Sequence, residues 1–186
     1  MTRLNHPLDK LIQTILYKSG EFEVVERPDV IWVGCVVYAD NNIDPPFSDD
    51  DMTLIERYQA LLDIHKQDLI NPDWSAALSI NYSCADKPSG TMFAQETYSM
   101  KQDEKYDTFT QPGGLWLRLL NDTNATALLN KENVAAYEYF EIMQNVAKAN
   151  GYMPNQKVFV QVEYSCHTEY NMPTHRNYAY IPIVKE

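Results

Sequence analysis

The stretch 112–116 reads PGGLW, and an earlier stretch, 28–32, reads PDVIW with the same spacing from proline to tryptophan. A second pair of runs, INYSC at 80–84 and VEYSC at 162–166, recurs at nearly the same offset, about 82 to 84 residues along the chain. Two motifs that repeat at nearly one offset indicate internal duplication.

Each half reads as strand, helix, strand, strand. Strand signals lie at about 31–38, 76–84 and 91–100 in the first half and at about 115–120, 157–166 and 177–184 in the second. Helical patterns lie at about 54–71 and 133–149. We predict an α+β fold in which two pseudo-symmetric β-α-β-β units form an antiparallel sheet, with helices on one face and a ligand groove on the other.

The predicted organisation is a short N-terminal helix at 1–21 and one domain at 22–186, with units at about 22–100 and 106–186. The helix is predicted because Gly20 can end it and because the apolar residues before that glycine recur at helical spacing, namely Leu8, Leu11, Ile12, Ile15 and Leu16.

Charge and composition restrict the classes of function. The 186 residues include 26 acidic and 15 basic side chains, for a net charge of -11, and such a surface repels a nucleic-acid backbone. The sequence has no stretch of about 20 apolar residues and no secretory signal pattern. We expect a cytoplasmic protein that contacts neither membrane nor nucleic acid directly, in which the three cysteines act as small apolar side chains.

Alternation along the strands predicts which side chains meet at the seam between the halves. Val160, Val162 and Tyr164 are the more apolar set and should face the helices. The opposite set should face the seam, and it gives the candidate ligand-binding residues: Glu163, Trp32, Tyr38, Asn81, Trp116, Arg118, Gln161 and Ser165.

Glu163 is the central candidate. A carboxylate within an apolar strand is costly to bury alone, so it is exposed, paired, or kept for a ligand. A single negative group among aromatic rings suits an organic cation. If Arg118 pairs with Glu163, a neutral or zwitterionic ligand is expected instead. The aromatic residues have a second interpretation as ordinary core.

Other chemistries find little support in the sequence. Cys166, His167, Glu169 and His175 match no zinc-ligand spacing, and neither a nucleophile elbow nor a reactive-cysteine context is present. We therefore expect no metal, no cofactor and no catalytic residue.

The order of elements resembles the GyrI-like or AraC-type effector-binding domains of bacterial-type regulators. The features that carry the resemblance are PGGLW at 112–116, NGY at 150–152, the Glu163 strand and YIPI at 180–183, over about residues 22 to 184. The family usually has Glu-x-Tyr, whereas here Ser165 lies two residues after Glu163 and Tyr164 is adjacent to it.

The resemblance implies a small-molecule-binding module with a groove between the units and Glu163 as anchor for a cationic or amphipathic ligand. Only about 20 residues precede the first predicted strand, too few for a helix-turn-helix module, so a stand-alone protein is expected. Two alternatives remain. Some relatives hydrolyse cyclic compounds with this glutamate, and some single-domain relatives bind protein partners, which would here be an inhibitor or interaction module with an acidic surface.

Overall fold

The computed structural model describes residues 6–18, 20–38, 69–70, 74–82, 84, 86–99, 106–120, 136–158, 160–166 and 177–186. In this part of the chain the strands are β1 (Lys10–Tyr17), β2 (Gly20–Arg27), β3 (Val30–Tyr38), β4 (Trp74–Ile80), β5 (Gly90–Thr97), β6 (Asp107–Gln111), β7 (Gly114–Leu120), β8 (Tyr152–Pro154), β9 (Val160–Cys166) and β10 (Asn177–Lys185). The helix α1 (Ala136–Ala149) lies between β7 and β8.

The strands form one antiparallel sheet in the order β1-β2-β7-β10-β9-β4-β5-β3-β6, with β8 paired to β10. The first, second and third strands of each predicted unit are β3, β4 and β5 in one half and β7, β9 and β10 in the other. Both sets have the same relative order on either side of the β4–β9 junction. Duplication stays a prediction that this order supports.

Two short connections join strands near opposite ends of the sheet order. Pro28 and Asp29 link β2 to β3, and Pro112 and Gly113 link β6 to β7. The Gly113 N–H donates a 2.6 Å hydrogen bond to Asp29 Oδ1, which ties the two connections together. A Cβ on Gly113 would lie 2.8 Å from the Arg27 carbonyl oxygen, so the close approach of the two connections requires glycine.

The sheet is strongly curved. Trp32 on β3 and Trp116 on β7 belong to one buried cluster, although four strands separate β3 from β7. In a flat sheet those strands would lie about 24 Å apart at the usual inter-strand spacing. The sheet therefore curves so that distant strands contact each other across its concave, inner face. We call the buried cluster on this face the inner core. Its residues are Val25, Val30, Trp32, Ala76, Leu78, Ile80, Met92, Ala94, Trp116, Val158, Val160, Val162 and Tyr180.

Helix α1 covers part of the outer face. Its buried residues Phe140, Met143, Val146 and Ala147 pack with alternate residues of β2, β7 and β10 in the outer core, which also includes Phe22, Val24, Leu117, Leu119, Ala179, Ile181 and Ile183. Lys148 in its last turn complements the negative end of the helix dipole. A smaller outer cluster at the other half contains Val33, Cys35, Leu69 and Tyr106.

The predicted N-terminal helix is wrong, because Lys10–Tyr17 forms the edge strand β1, paired with β2. A bulge between Leu11 and Gln13 breaks the alternation of this strand, so its apolar residues imitate helical spacing. Gly20 begins β2 and does not end a helix. The strands β2, β6 and β8 were not among the predicted elements.

The predicted helix at 133–149 corresponds to α1, whereas the predicted helix at 54–71 lies almost wholly outside the described residues. The two copies of the second repeated motif differ in secondary structure, because β4 ends at Ile80 while Val162–Cys166 lies within β9. Asn81 thus lies just after a strand and Glu163 within one, and their correspondence stays a prediction. Pairing also crosses the predicted unit boundary, since β2 pairs with β7.

None of the helical structure in the described ranges is long and apolar enough to span a bilayer.

Candidate functional site

A network of buried charged groups lies on the inner face beside the inner core. Glu23 and Arg27 come from β2, Glu96 from β5 and Arg118 from β7, and the segment before β1 adds His6 and Asp9. Alternation places Glu23, Val25 and Arg27 on the same face of β2. We call the set His6, Asp9, Glu23, Arg27, Glu96, Arg118 and Tyr180 the charge network.

The register explains how Arg118 meets its partners. Glu23, Arg118 and Tyr180 form a row of directly paired residues across β2, β7 and β10, and such residues share a face. Arg118 Nε donates a 2.9 Å hydrogen bond to Glu23 Oε2, and its Nη2 donates to the same oxygen. Its Nη1 donates to Asp9 Oδ2 at 2.6 Å.

Arg27 makes a second set of ion pairs. Its Nη2 donates to Glu96 Oε1 at 2.7 Å, and its Nε lies 2.8 Å from Asp9 Oδ1. The guanidinium carbon lies 4.8 Å from the centre of the Tyr180 ring, a cation–π distance. Because four strands separate β2 from β5 in the sheet order, the Arg27–Glu96 pair depends on the curvature of the sheet.

His6 connects the N-terminal segment to β5. Its Nε2 lies 2.5 Å from Glu96 Oε2, and its Nδ1 accepts the Leu8 N–H at 3.2 Å. Arg27 Nη2 lies 3.4 Å from the same His6 Nε2, and Asp9 Oδ1 lies 3.6 Å from Nδ1, so the imidazole contacts both carboxylates and the guanidinium group. Apart from His6, the charge network contains three carboxylates and two guanidinium groups.

Burial and neighbouring charges change the proton affinity of two members. Burial is the main reason that the pKa of the Tyr180 phenol is raised far above its usual value, and the Asp9 carboxylate adds to the shift. Burial alone would lower the pKa of Arg118, but Tyr180, Glu23 and Asp9 outweigh it, so the net pKa is raised. The Tyr180 hydroxyl accordingly stays protonated and donates to Asp9 Oδ2 at 2.8 Å.

A second region lies where the two halves meet, at the β4–β9 ladder. Residue 163 is paired with Ala77 on one side and Ala179 on the other. Ala77, Ser79 and Phe93 are only partly buried. Next to them, burial raises the pKa of Tyr82, and a hydrogen bond with the Gln161 side chain partly offsets the rise. We use the name junction surface for position 163 together with Ala77, Ser79, Tyr82, Phe93 and Gln161.

The predicted site residues separate into groups. Trp32 and Trp116 are each 1% exposed within the inner core, where the Trp32 indole N–H donates to Gln111 Oε1 at 3.0 Å. Arg118 belongs to the charge network. Val160 and Val162 also lie in the inner core, so the prediction that they face the helices, opposite the tryptophans, is wrong. Val160 and Val162 lie on the same face of the sheet as the two tryptophans.

Two other predicted residues lie near the junction. Gln161 is paired with Ser79 in the β4–β9 ladder. Asn81 follows β4 with a φ of 54°, and its side-chain amide donates to the Pro88 carbonyl, so its role in the structure is a turn. The side chains of Tyr38, Glu163 and Ser165 lie outside the described atoms.

Sequence reasoning missed most of the charge network. Asp9 was assigned to a helix, and Glu23, Arg27 and Glu96 were not considered. Their signal was the placement of charged residues between apolar ones in EFEVVER at 21–27 and in MFAQET at 92–97. An isolated charge in an apolar β-run indicates a buried partner, which only the register can name.

The overall fold is shared with two solved structures. The first is the C-terminal domain of EcmrR, with 14% identity and a TM-score of 0.60 over 91% of this chain and all of that one. The second is an integron cassette protein, VCH_CASS2, from the mobile metagenome of Vibrio cholerae, with 13% identity and a TM-score of 0.51 over 90% of this chain and 98% of that one. No model of a protein family matches the chain, and no curated protein matches it. At these identities, the similarity establishes the fold.

Proposed function

We propose that the protein is a small-molecule-binding module whose ligand binds at the junction surface, with the Glu163 carboxylate as anchor. The observation that carries this proposal is the position of residue 163 in the ladder, at the centre of the sheet between two alanines. The fold shared with the EcmrR domain, and the resemblance to effector-binding domains, support a binding role.

The neighbouring residues favour an open site there. Val162 has no exposed surface and lies in the inner core, and successive strand residues point to opposite faces. Position 163 of β9 and its ladder partner Ala77 therefore belong to the outer face of the sheet, and we propose that the ligand binds on that face. Ala77 has a short side chain and is only partly buried, and the partly buried Ser79 and Phe93 add a polar and an aromatic side chain nearby.

The proposed ligand is an organic cation of small or moderate size. A carboxylate supplies charge, and the ring of Phe93 supplies a π face. Arg118 is engaged by Glu23 and Asp9 on the inner face, which favours a Glu163 that keeps its negative charge for the ligand. Of the remaining candidates, Gln161 and Ser165 flank the anchor, whereas Trp32 and Trp116 support the site as core residues without contacting the ligand.

The test is a fluorescence titration with a panel of cationic dyes, using wild type, Glu163→Gln and the control Glu141→Gln on the exposed face of α1. We expect Glu163→Gln to weaken binding about tenfold or more, because it removes a charge-assisted contact, and Glu141→Gln to bind like wild type. Equal affinities for Glu163→Gln and wild type would refute the anchor. A panel in which no dye binds any of the three proteins would refute the cationic ligand class.

A further inference from the structure

A second binding site is occupied by a side chain of the protein itself. We propose that the Asp9 carboxylate is a tethered substitute for a ligand, and that Arg27, Arg118 and Tyr180 form a site for a small carboxylate that becomes available when the N-terminal segment moves away. This site contains none of the residues of the junction surface, and it goes beyond the function proposed above.

Two hydrogen-bond donors and a second guanidinium group surround the carboxylate of Asp9. Arg118 Nη1 and the Tyr180 hydroxyl donate to Oδ2 at 2.6 and 2.8 Å, and Arg27 Nε lies 2.8 Å from Oδ1. The three groups come from three different strands, β7, β10 and β2. Guanidinium groups and a phenol arranged around both oxygens are the donor set that proteins use to bind carboxylates.

The three groups are held by contacts that do not involve Asp9. Arg118 is bound by Glu23, and Arg27 is bound by Glu96 and stacked on the Tyr180 ring. These partners are in the sheet and are buried. Loss of Asp9 would therefore leave Arg27, Arg118 and Tyr180 oriented, with two guanidinium groups balanced by the two carboxylates of Glu23 and Glu96. A free carboxylate bound in place of Asp9 would restore the net charge that the network has now.

Asp9 differs from the other members because it enters from the edge of the fold. Its side chain is 2% exposed, although the residue as a whole is partly exposed, so the carboxylate is inserted from the surface. Residues His6 to Asp9 precede β1, and Lys10 is the first residue paired with β2. This segment is not paired in the sheet, and its contacts include the His6–Glu96 hydrogen bond, the 3.4 Å approach of Arg27 Nη2 to His6 Nε2 and the contact of Leu8 with the inner core.

The test removes the tethered carboxylate and supplies a free one. In Asp9→Gly, sodium acetate should raise the thermal unfolding temperature, and it should do so about tenfold more effectively per mole than sodium chloride, because a carboxylate can accept from Arg118 and Tyr180 and pair with the charge of Arg27. Wild type, in which Asp9 occupies the position, should respond equally to both salts. Adding Tyr180→Phe to Asp9→Gly should weaken the acetate response, since one donor is lost.

Each outcome decides the matter. If Asp9→Gly is unfolded in chloride, recovery of the near-ultraviolet circular dichroism in acetate supports the site. Equal responses to acetate and chloride, or failure of acetate to restore folding, would overturn the proposal. Dye binding at Glu163 is measured separately on wild type, so failure of one proposal leaves the other testable.

Discussion

Arg118 is a cation with only 5% of its surface exposed, held between the carboxylates of Glu23 and Asp9. At the scale of single residues, the loss of such a group has a larger effect on stability than the net attraction between it and its carboxylates suggests. The removal of one partner leaves the other charges buried and uncompensated, and that cost exceeds the net stabilisation of the intact pair.

We therefore predict that Arg118→Met lowers the free energy of unfolding by about 3–5 kcal/mol. The matched control is Lys10→Met, which removes a 2.9 Å ion pair with Glu26 whose side chains are 74% and 52% exposed. Exposed pairs contribute less than about 1 kcal/mol. Urea unfolding measures both variants, and equal losses in the two would contradict a special role for the buried network.

A second residue-scale prediction concerns alkaline pH. Burial raises the pKa of Tyr180 in the folded protein, whereas the unfolded phenol ionises near its ordinary pKa of about 10. Between the folded and unfolded pKa values, the folded state holds the phenolic proton more tightly than the unfolded state does. The stabilisation that this proton gives is therefore complete below pH 10 and is lost as the pH rises. By pH 11, one unit above the ordinary value, Tyr180 alone should reduce stability by about 1.4 kcal/mol.

Comparison with Tyr180→Phe isolates that contribution from other groups that titrate at the same pH. The variant should be less stable at pH 8, because the hydrogen bond to Asp9 is lost, and its stability should fall less steeply between pH 9 and 11. The measurement is the urea midpoint at each pH. Parallel profiles of stability against pH for the two proteins would contradict the prediction, because they would mean that Tyr180 ionises as readily in the folded state as in the unfolded state.

At the scale of elements, the close pairing of β3 and β5 depends on a glycine. A Cβ added to Gly34 would lie 2.0 Å from the Phe93 carbonyl oxygen and 2.7 Å from the Ala94 Cα, and both atoms are backbone atoms that cannot turn aside. Gly34 has to be a glycine because the paired strand occupies the space of its side chain.

We predict that Gly34→Ala lowers the free energy of unfolding by about 3 kcal/mol or more, since the strands have to separate. Gly151, after α1, is the control, because it has a φ of 77° and a Cβ there would meet nothing within 4 Å. Gly151→Ala should cost about 1–2 kcal/mol, from backbone strain alone. Thermal or urea unfolding gives the order of the two losses, and the reverse order would contradict the close approach at Gly34.

For the whole molecule, curvature encloses two large aromatic side chains. Trp32 and Trp116 are each 1% exposed, although their strands are far apart in the sheet order. In Trp74→Phe the remaining indole emission comes from these two residues. We predict blue-shifted emission with weak quenching by acrylamide.

Adding Tyr98→Trp to that variant provides the control, since Tyr98 is 69% exposed. Its new emission should be red-shifted and readily quenched. Strong acrylamide quenching of Trp74→Phe itself would mean that the inner face is open to solvent, and it would restore the tryptophans as candidates for direct contact with a ligand.

Sequence patterns predicted the α+β class and the approximate positions of β3, β4, β5, β7, β9, β10 and α1, because their apolar periodicity is strong. They failed at β1, where a bulge makes a strand resemble a helix. The charge network was missed for another reason. Glu23 and Arg118 meet because β2 pairs with β7, and no local pattern specifies which distant strands are neighbours.

The pairing of β2 with β7 also affects how the chain folds during synthesis. β2 leaves the ribosome well before its neighbour β7 is made, and β7 in turn pairs with β10, which is made later still. The early half therefore has an unsatisfied edge until β7 and β10 have been made, and contacts so distant in sequence form slowly. Nascent chains stalled before β10 should thus be open to proteases and chaperones, whereas the released protein should resist both.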